Sequence, residues 1–353
     1  MLSAFKRNGI RAAVISIFIC TFVVTAFAAH SHNEAAAVVN ALDLYWISFG
    51  GNSDSDPVYL MQIDQMGRVT KTPTRVLFAK QFGSDQGATA LAKNGPGKVN
   101  LWVIGGFKIL YRAIVNTSPV ATVGFTSTGL IASDNYGLQA TQKSTANFLA
   151  VEEGASVLIG EAFGSAGLLT GTKWILSPGA PNFNDTGSVS ADGLAATTNR
   201  FGTSTGEKLY FQKLTIAGKP TVSPVLMASN VNIGSNDVTS ALSNGRRYVA
   251  YVVINLANKL YLQIVNSNGG KVGSPILINT PPGRDRQSQV IALDPLGRFV
   301  VFTITGKNYG CTNHDVLVYQ ALDATGHTSG SLKLLAKCGL VGDDIENIDI
   351  LKQ

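Results

Sequence analysis

Residues 260–278, LYLQIVNSNGGKVGSPILI, carry the reading of this chain. An apolar alternating stretch runs into Asn-Gly, and a second stretch with a Pro follows it. Alternation and β-branched residues mark strands, and a Gly-bearing turn between two of them marks a hairpin. The same pattern recurs at 58–77 (VYLMQIDQMGRVTKTPTRVL), 209–227 (LYFQKLTIAGKPTVSPVLM) and 316–335 (VLVYQALDATGHTSGSLKLL). Fainter copies stand at 109–125 and 157–176. The six copies begin at Val58, Ile109, Val157, Leu209, Leu260 and Val316, at intervals of 51, 48, 52, 51 and 56 residues. A fixed period of this size signals a repeat architecture.

Between copies lies a second strand–turn–strand module, clearest at 238–254 and 290–305. The unit is therefore four strands in about fifty residues, and radial repetition of such units makes a β-propeller. The expected fold is all-β: a single six-bladed propeller over residues 42–353, with seven blades as the alternative. The first copy has a strand at 43–49 (DLYWISF) but no clear innermost one, whereas 345–352 (IENIDILK) is spare at the C-terminus. The C-terminal strand is predicted to complete the first blade, which removes the sheet edges an open ring would expose.

The segment 293–326 (LDPLGRFVVFTITGKNYGCTNHDVLVYQALDATG) resembles the repeat of TolB-type and other WD40-like periplasmic propellers, and 244–270 follows it more loosely. In place of that repeat's Pro-Asp-Gly this chain has Asp294-Pro295, Asn244-Gly245 and Asp192-Gly193. The resemblance implies a binding platform, with enzymes among relatives of other subfamilies. Fold alone does not decide between them.

Composition bounds the rest. The chain has 353 residues, 14% of them charged, with net charge +6. Lys6, Arg7 and Arg11 precede an uncharged apolar run to Phe27 and the Ala26-Phe27-Ala28 signature, so residues 1–28 are expected to be a cleaved signal peptide and 29–41 a short tail. Losing those three cations takes the net charge to +3. That weakens a nucleic-acid reading, which wants a clustered basic face, and no nucleic-acid partner is expected. The expectation is a periplasmic or secreted monomer with no stable membrane insertion after cleavage. Cys311 and Cys338 then remain as one disulfide pair.

In each blade the first-to-second and third-to-fourth turns share one face and are short. The second-to-third loops and blade-to-blade connections share the other and are longer. Binding residues favour long loops on a rigid scaffold. The candidate binding residues on that face are Asp54, Asp56, Arg200, Arg284, Asp285, Arg286, Tyr309, His314 and Asp315. The Arg residues offer planar forks to an anionic ligand, and Asp54 with Asp56 could hold Ca²⁺, although no cofactor and no metal site is expected. Asp85, Asp134, Asp185, Asp237, Asp285 and Asp344 follow the repeat and are expected to ring the channel mouth ahead of each innermost strand. Their expected task is to hold backbone N–H groups, with a shared cation as the competing explanation. No catalytic residue is assigned: Gly202-Thr203-Ser204-Thr205-Gly206 has a nucleophile-elbow spacing but leads into a strand instead of a helix. The expected function is a non-catalytic binding module for a protein or an envelope glycan. The alternative is a hydrolase or lyase acting on carbohydrate.

Overall fold

The computed structural model describes residues 42–51, 57–78, 88–132, 138–142, 147–153, 157–176, 183–202, 206–231, 233–253, 259–279, 290–311, 314–340 and 345–353. Residues 1–41, where a signal peptide and a short tail are expected, lie outside the described residues. Residues Leu44–Gln353 form one compact unit.

Six four-stranded antiparallel sheets make six blades. The first holds β1 (Leu44–Gly51), β2 (Val58–Asp64) and β3 (Val69–Leu77). The second holds β4 (Thr89–Lys93), β5 (Lys98–Ile104), β6 (Ile109–Thr117) and β7 (Val120–Ile131). The third holds β8 (Gln139–Ala140), β9 (Phe148–Glu153), β10 (Val157–Phe163) and β11 (Leu169–Ile175). The fourth holds β12 (Phe183–Val189), β13 (Ala195–Gly202), β14 (Gly206–Lys213) and β15 (Val225–Val231). The fifth holds β16 (Ile233–Val238), β17 (Arg247–Val253), β18 (Lys259–Val265) and β19 (Lys271–Asn279). The sixth holds β20 (Ile291–Leu293), β21 (Phe299–Thr305), β22 (Asp315–Leu322) and β23 (Thr328–Ala336). The last strand, β24 (Ile345–Lys352), pairs with β1 and becomes the innermost strand of the first blade, with Trp46 opposite Leu351 and Ser48 opposite Asp349. The six sequence copies are thus the third and fourth strands of the six blades.

Strands of this kind are apolar on both faces because each blade is packed on two sides. Tyr45, Ile47 and Phe49 of β1 face the sixth blade, while Trp46 faces the second. Six buried apolar clusters result, one at each blade interface, including the one between blades six and one that closes the ring.

The short turns explain the recurring Asp/Asn and Gly. Asp64 accepts hydrogen bonds from the Met66 and Arg68 N–H groups, Asn266 from those of Asn268 and Gly270, and Asp323 from those of Thr325 and His327. This is the side-chain mimicry of a backbone turn that favours Asx residues. The glycines let these turns lie flat on the preceding blade. A Cβ on Gly67 (φ +72°) would sit 2.7 Å from the Tyr319 ring, and Tyr319 Oη donates to Gln65 O at 2.8 Å.

Cys311 and Cys338 form a disulfide with Cα atoms 6.1 Å apart. It joins the β21–β22 connection to the segment leading into β24, and Tyr59 Oη of the first blade donates to Leu340 O in that segment. A disulfide is favoured in an oxidising compartment, so the bridge points to a location outside the cytoplasm. Among the described residues no helix is long and apolar enough to cross a membrane.

Candidate functional site

Two regions concentrate polar chemistry: the axis of the ring and the long-loop face. On the axis, each innermost strand has one hydrogen-bonding edge that its own sheet leaves unpaired, and buried N–H groups need partners. Side chains from alternate blades supply them. Asp349 Oδ2 on β24 accepts from Leu91 N on β4 at 2.5 Å. Gln139 Oε1 on β8 accepts from Val189 N on β12 at 2.9 Å. Asp237 Oδ2 on β16 accepts from Leu293 N on β20 at 2.7 Å. Blades one, three and five thereby latch blades two, four and six.

The same three side chains meet one another. Gln139 Nε2 donates to Asp237 Oδ1 at 3.0 Å and also bonds to Asp349. Ser188 Oγ lies 2.7 Å from Asp237 Oδ1 and 2.5 Å from Gln139 Oε1. Below this knot, toward the short-turn face, Gln142 spans to β24, donating to Ile350 O and accepting from Lys352 N. Burial pushes the Asp237 carboxyl above its ordinary range, against the hydrogen bonds of Leu293, Ser188, Gln139 and Val238. Burial pushes Asp349 well above it, with the charge of Asp237 adding to the effect.

Of the six carboxylates expected to ring the mouth, two belong to described residues, and both differ from the expected placement. Asp185 lies within β12 and Asp237 within β16, not ahead of the innermost strands. Asp237 is fully buried in the channel. Asp85, Asp134, Asp285 and Asp344 lie outside the described residues. Asp349, Gln139 and Asn347 were not singled out from sequence. Their signal was available: polar residues at alternate positions of a strand that must be buried on both sides, as in 345–352, where Asn347 and Asp349 alternate with Ile348 and Ile350.

Of the residues assigned to the long-loop face, Asp54, Asp56, Arg284, Asp285 and Arg286 lie outside the described residues. Arg200 is in strand β13 and not in a loop. Tyr309, His314 and Asp315 belong to the β21–β22 connection or its end. Tyr309 is half-buried against the cluster between blades five and six. His314 is half-buried, and its carbonyl accepts from Gly306 N at 2.9 Å. Asp315 opens β22 opposite Thr305.

Sequence reasoning missed Phe107. It lies in the β5–β6 connection of the long-loop face, with φ 59° and ψ 21°, and the residue is 88% exposed. Lys108 beside it has φ 61°. Apart from glycines these are the two positive-φ residues among those described. Ile131, whose strand ends where Ala132 N donates to Lys108 O, is 66% exposed. Phe78, at the end of β3 on the same face, is half-exposed under the Arg75 guanidinium, 4.3 Å from its ring centre. On the opposite face a cleft of about 420 Å³ opens between blades five and six, lined by Leu242, Tyr248, Leu296, Arg298 and Asp323.

No protein-family model matches the chain, and no curated relative does. Solved structures do. AofleA from Arthrobotrys oligospora aligns at TM-score 0.55 and 12% identity, over 87% of this chain and 85% of that one. TolB from Acinetobacter baumannii aligns at 0.55 and 10% identity, over 86% of this chain and 66% of TolB. The BP39L lectin from Burkholderia pseudomallei aligns at 0.53 and 13% identity, over 82% and 81%. At these identities the likeness is one of fold: the chain is a six-bladed, TolB-like propeller.

Proposed function

We propose that the protein is an extracytoplasmic, non-catalytic binding module that engages a protein or an envelope glycan through its long-loop face. The observation that carries this is Phe107. A non-Gly residue in the left-handed region costs on the order of 1–2 kcal/mol, and such outliers cluster where function needs them. Here the unfavourable backbone holds a phenyl ring out in water, where it gives the fold nothing. Exposed Ile131, and Phe78 with Arg75 over it, extend the same face. Aromatic and Arg side chains are the anchors enriched at binding surfaces.

The buried carboxylates support the same reading against the carbohydrate-cleaving alternative. A general acid or base must reach its substrate. Asp237 and Asp349 are each 4% exposed and committed to backbone N–H groups of a neighbouring blade. One of the structurally similar proteins is named as a lectin, which is consistent with a binding role at the level of fold.

A photo-crosslinking amino acid at position 107, compared with one at Asn268 on the short-turn face, tests the assignment in the native cell envelope. A discrete adduct from 107 and none from 268 is expected. Adducts from 268 alone would place the working surface on the opposite face. Turnover of glycoside substrates by the purified chain would replace the binding module with an enzyme.

A further inference from the structure

The short-turn face carries a surplus of positive charge. Six exposed cations flank its turns: Lys93 and Lys98 in the second blade, Lys213 and Lys219 in the fourth, Arg246 and Lys271 in the fifth. None of them forms an ion pair among the described residues. The carboxylates beneath them are already engaged: Asp64 by Arg68, Asp192 by Arg247 and Asp294 by Arg298. Among the described residues of these turns, Asp323 is the one exposed carboxylate. A face with this surplus attracts an anionic surface.

An apolar tip between the lysines defines which anionic surface it fits. Ile216 heads the β14–β15 turn and is 72% exposed, second to Phe107 among the large apolar residues described. The turn cannot fold it away. Thr215 N donates to Lys219 O at 2.7 Å, Gly218 N to Thr215 O at 2.9 Å, and Trp174 Nε1 of the same face's third blade to Gly218 O at 2.9 Å. Lys213 Nζ donates to Ser267 O in the fifth blade's turn at 3.0 Å, which holds that ammonium at the face. Met66 and Leu168 stand exposed in the corresponding turns of the first and third blades. An acidic polymer gains nothing from aliphatic tips. A bilayer interface takes apolar side chains beneath its headgroups and cations among them.

We propose that the short-turn face docks on an anionic lipid surface, with Ile216, Leu168 and Met66 entering the interface and the six cations lying against the headgroups. The docking is reversible, and no segment of the propeller spans the bilayer. It turns the long-loop face away from the membrane. It uses none of that face's residues, so the binding role assigned there and the docking stand or fall separately.

The purified exported chain is sedimented with vesicles of equal parts phosphatidylethanolamine and phosphatidylglycerol, and with vesicles of phosphatidylcholine. Binding to the anionic vesicles alone is expected, and it should weaken as NaCl is raised. Lys213→Gln combined with Lys219→Gln should weaken it roughly thirtyfold, from about a fivefold loss for each cation near an anionic surface. Ile216→Ser leaves the charge alone and should weaken it about tenfold. These are exposed turn positions, so the Tm of each variant should match the parent. Lys307→Gln removes an exposed cation of the long-loop face and should leave vesicle binding unchanged. No binding to the anionic vesicles at low salt would overturn the proposal, as would binding that the double lysine variant leaves undiminished. Polyphosphate held as tightly as the vesicles, by the parent and by Ile216→Ser alike, would overturn it in favour of an acidic polymer.

Discussion

At the scale of single residues, the turns show what one side chain can hold. Asp192 accepts both terminal nitrogens of Arg247, at 3.1 and 2.8 Å, and the Ala241 N–H at 3.0 Å, joining the fourth blade to the fifth. Burial opposes the charge on Asp192, but the Arg247 guanidinium, with Ser190 and Ala241, holds its carboxyl below the ordinary range. A carboxyl whose folded pKa lies below its unfolded one stabilises above the unfolded value and loses that contribution as pH falls through the folded value. Asp192→Asn is therefore expected to cost about 2 kcal/mol at pH 7, the scale of charge-assisted hydrogen bonds. The difference from the parent should shrink toward zero in acid below the usual carboxylate range. Urea unfolding of both proteins at pH 7 and in acid checks it, and a gap that persists unchanged in acid would separate the effect from the charge. Glycine makes a paired test at the same scale. Gly67 and Gly95 have nearly equal φ, +72° and +73°, but a Cβ at Gly67 meets Tyr319 while one at Gly95 meets nothing within 4 Å. Gly95→Ala should cost about 1 kcal/mol for the backbone alone. Gly67→Ala should cost about 3 kcal/mol, because overpacking against the ring adds to it. Equal Tm losses would mean that the turn does not bear on the neighbouring blade.

At the scale of elements, much was legible because strands and turns are written locally. Alternation and the period gave all six third-to-fourth hairpins, five of them with Gly-bearing turns and one turning at Ser118-Pro119, and the spare 345–352 strand fell where β24 pairs with β1. The Cys311–Cys338 bridge was legible from counting alone. The axis was not, because it depends on which residues of non-adjacent blades arrive at one height. The periodic Asp344 and Asp134 each precede the residues that reach the axis, Asp349 and Gln139, by five positions. Spacing in the chain thus tracked the blade without giving the height within it. Phe107 was invisible because nothing in its letter announces a left-handed backbone. The disulfide closes a loop of 27 residues. Replacing both cysteines with Ala should destabilise by on the order of 3–4 kcal/mol, and the native parent should show neither Cys311 nor Cys338 to a thiol reagent. Reaction of both in the folded protein would contradict the bridge.

At the scale of the whole molecule, a ring of blades has no end to fray from if its last strand is shared. β24 contributes Leu351 to the cluster between blades one and two and Ile350 to that between blades six and one. Its Asp349 reaches the second blade's innermost strand, and Gln142 of the third blade grips its end. Deleting residues 343–353 is therefore expected to leave β1 as an exposed edge and give insoluble or protease-sensitive chain. The most direct measurement is native-state hydrogen exchange on the intact protein. If β24 closes the ring, the amides of Asp349 and Leu351, which face β1, exchange only with the opening that exposes β1, at one shared free energy. Exchange of β24 well ahead of β1, with the rest of the sheet still protected, would show a tail laid against an already complete ring and contradict the closure.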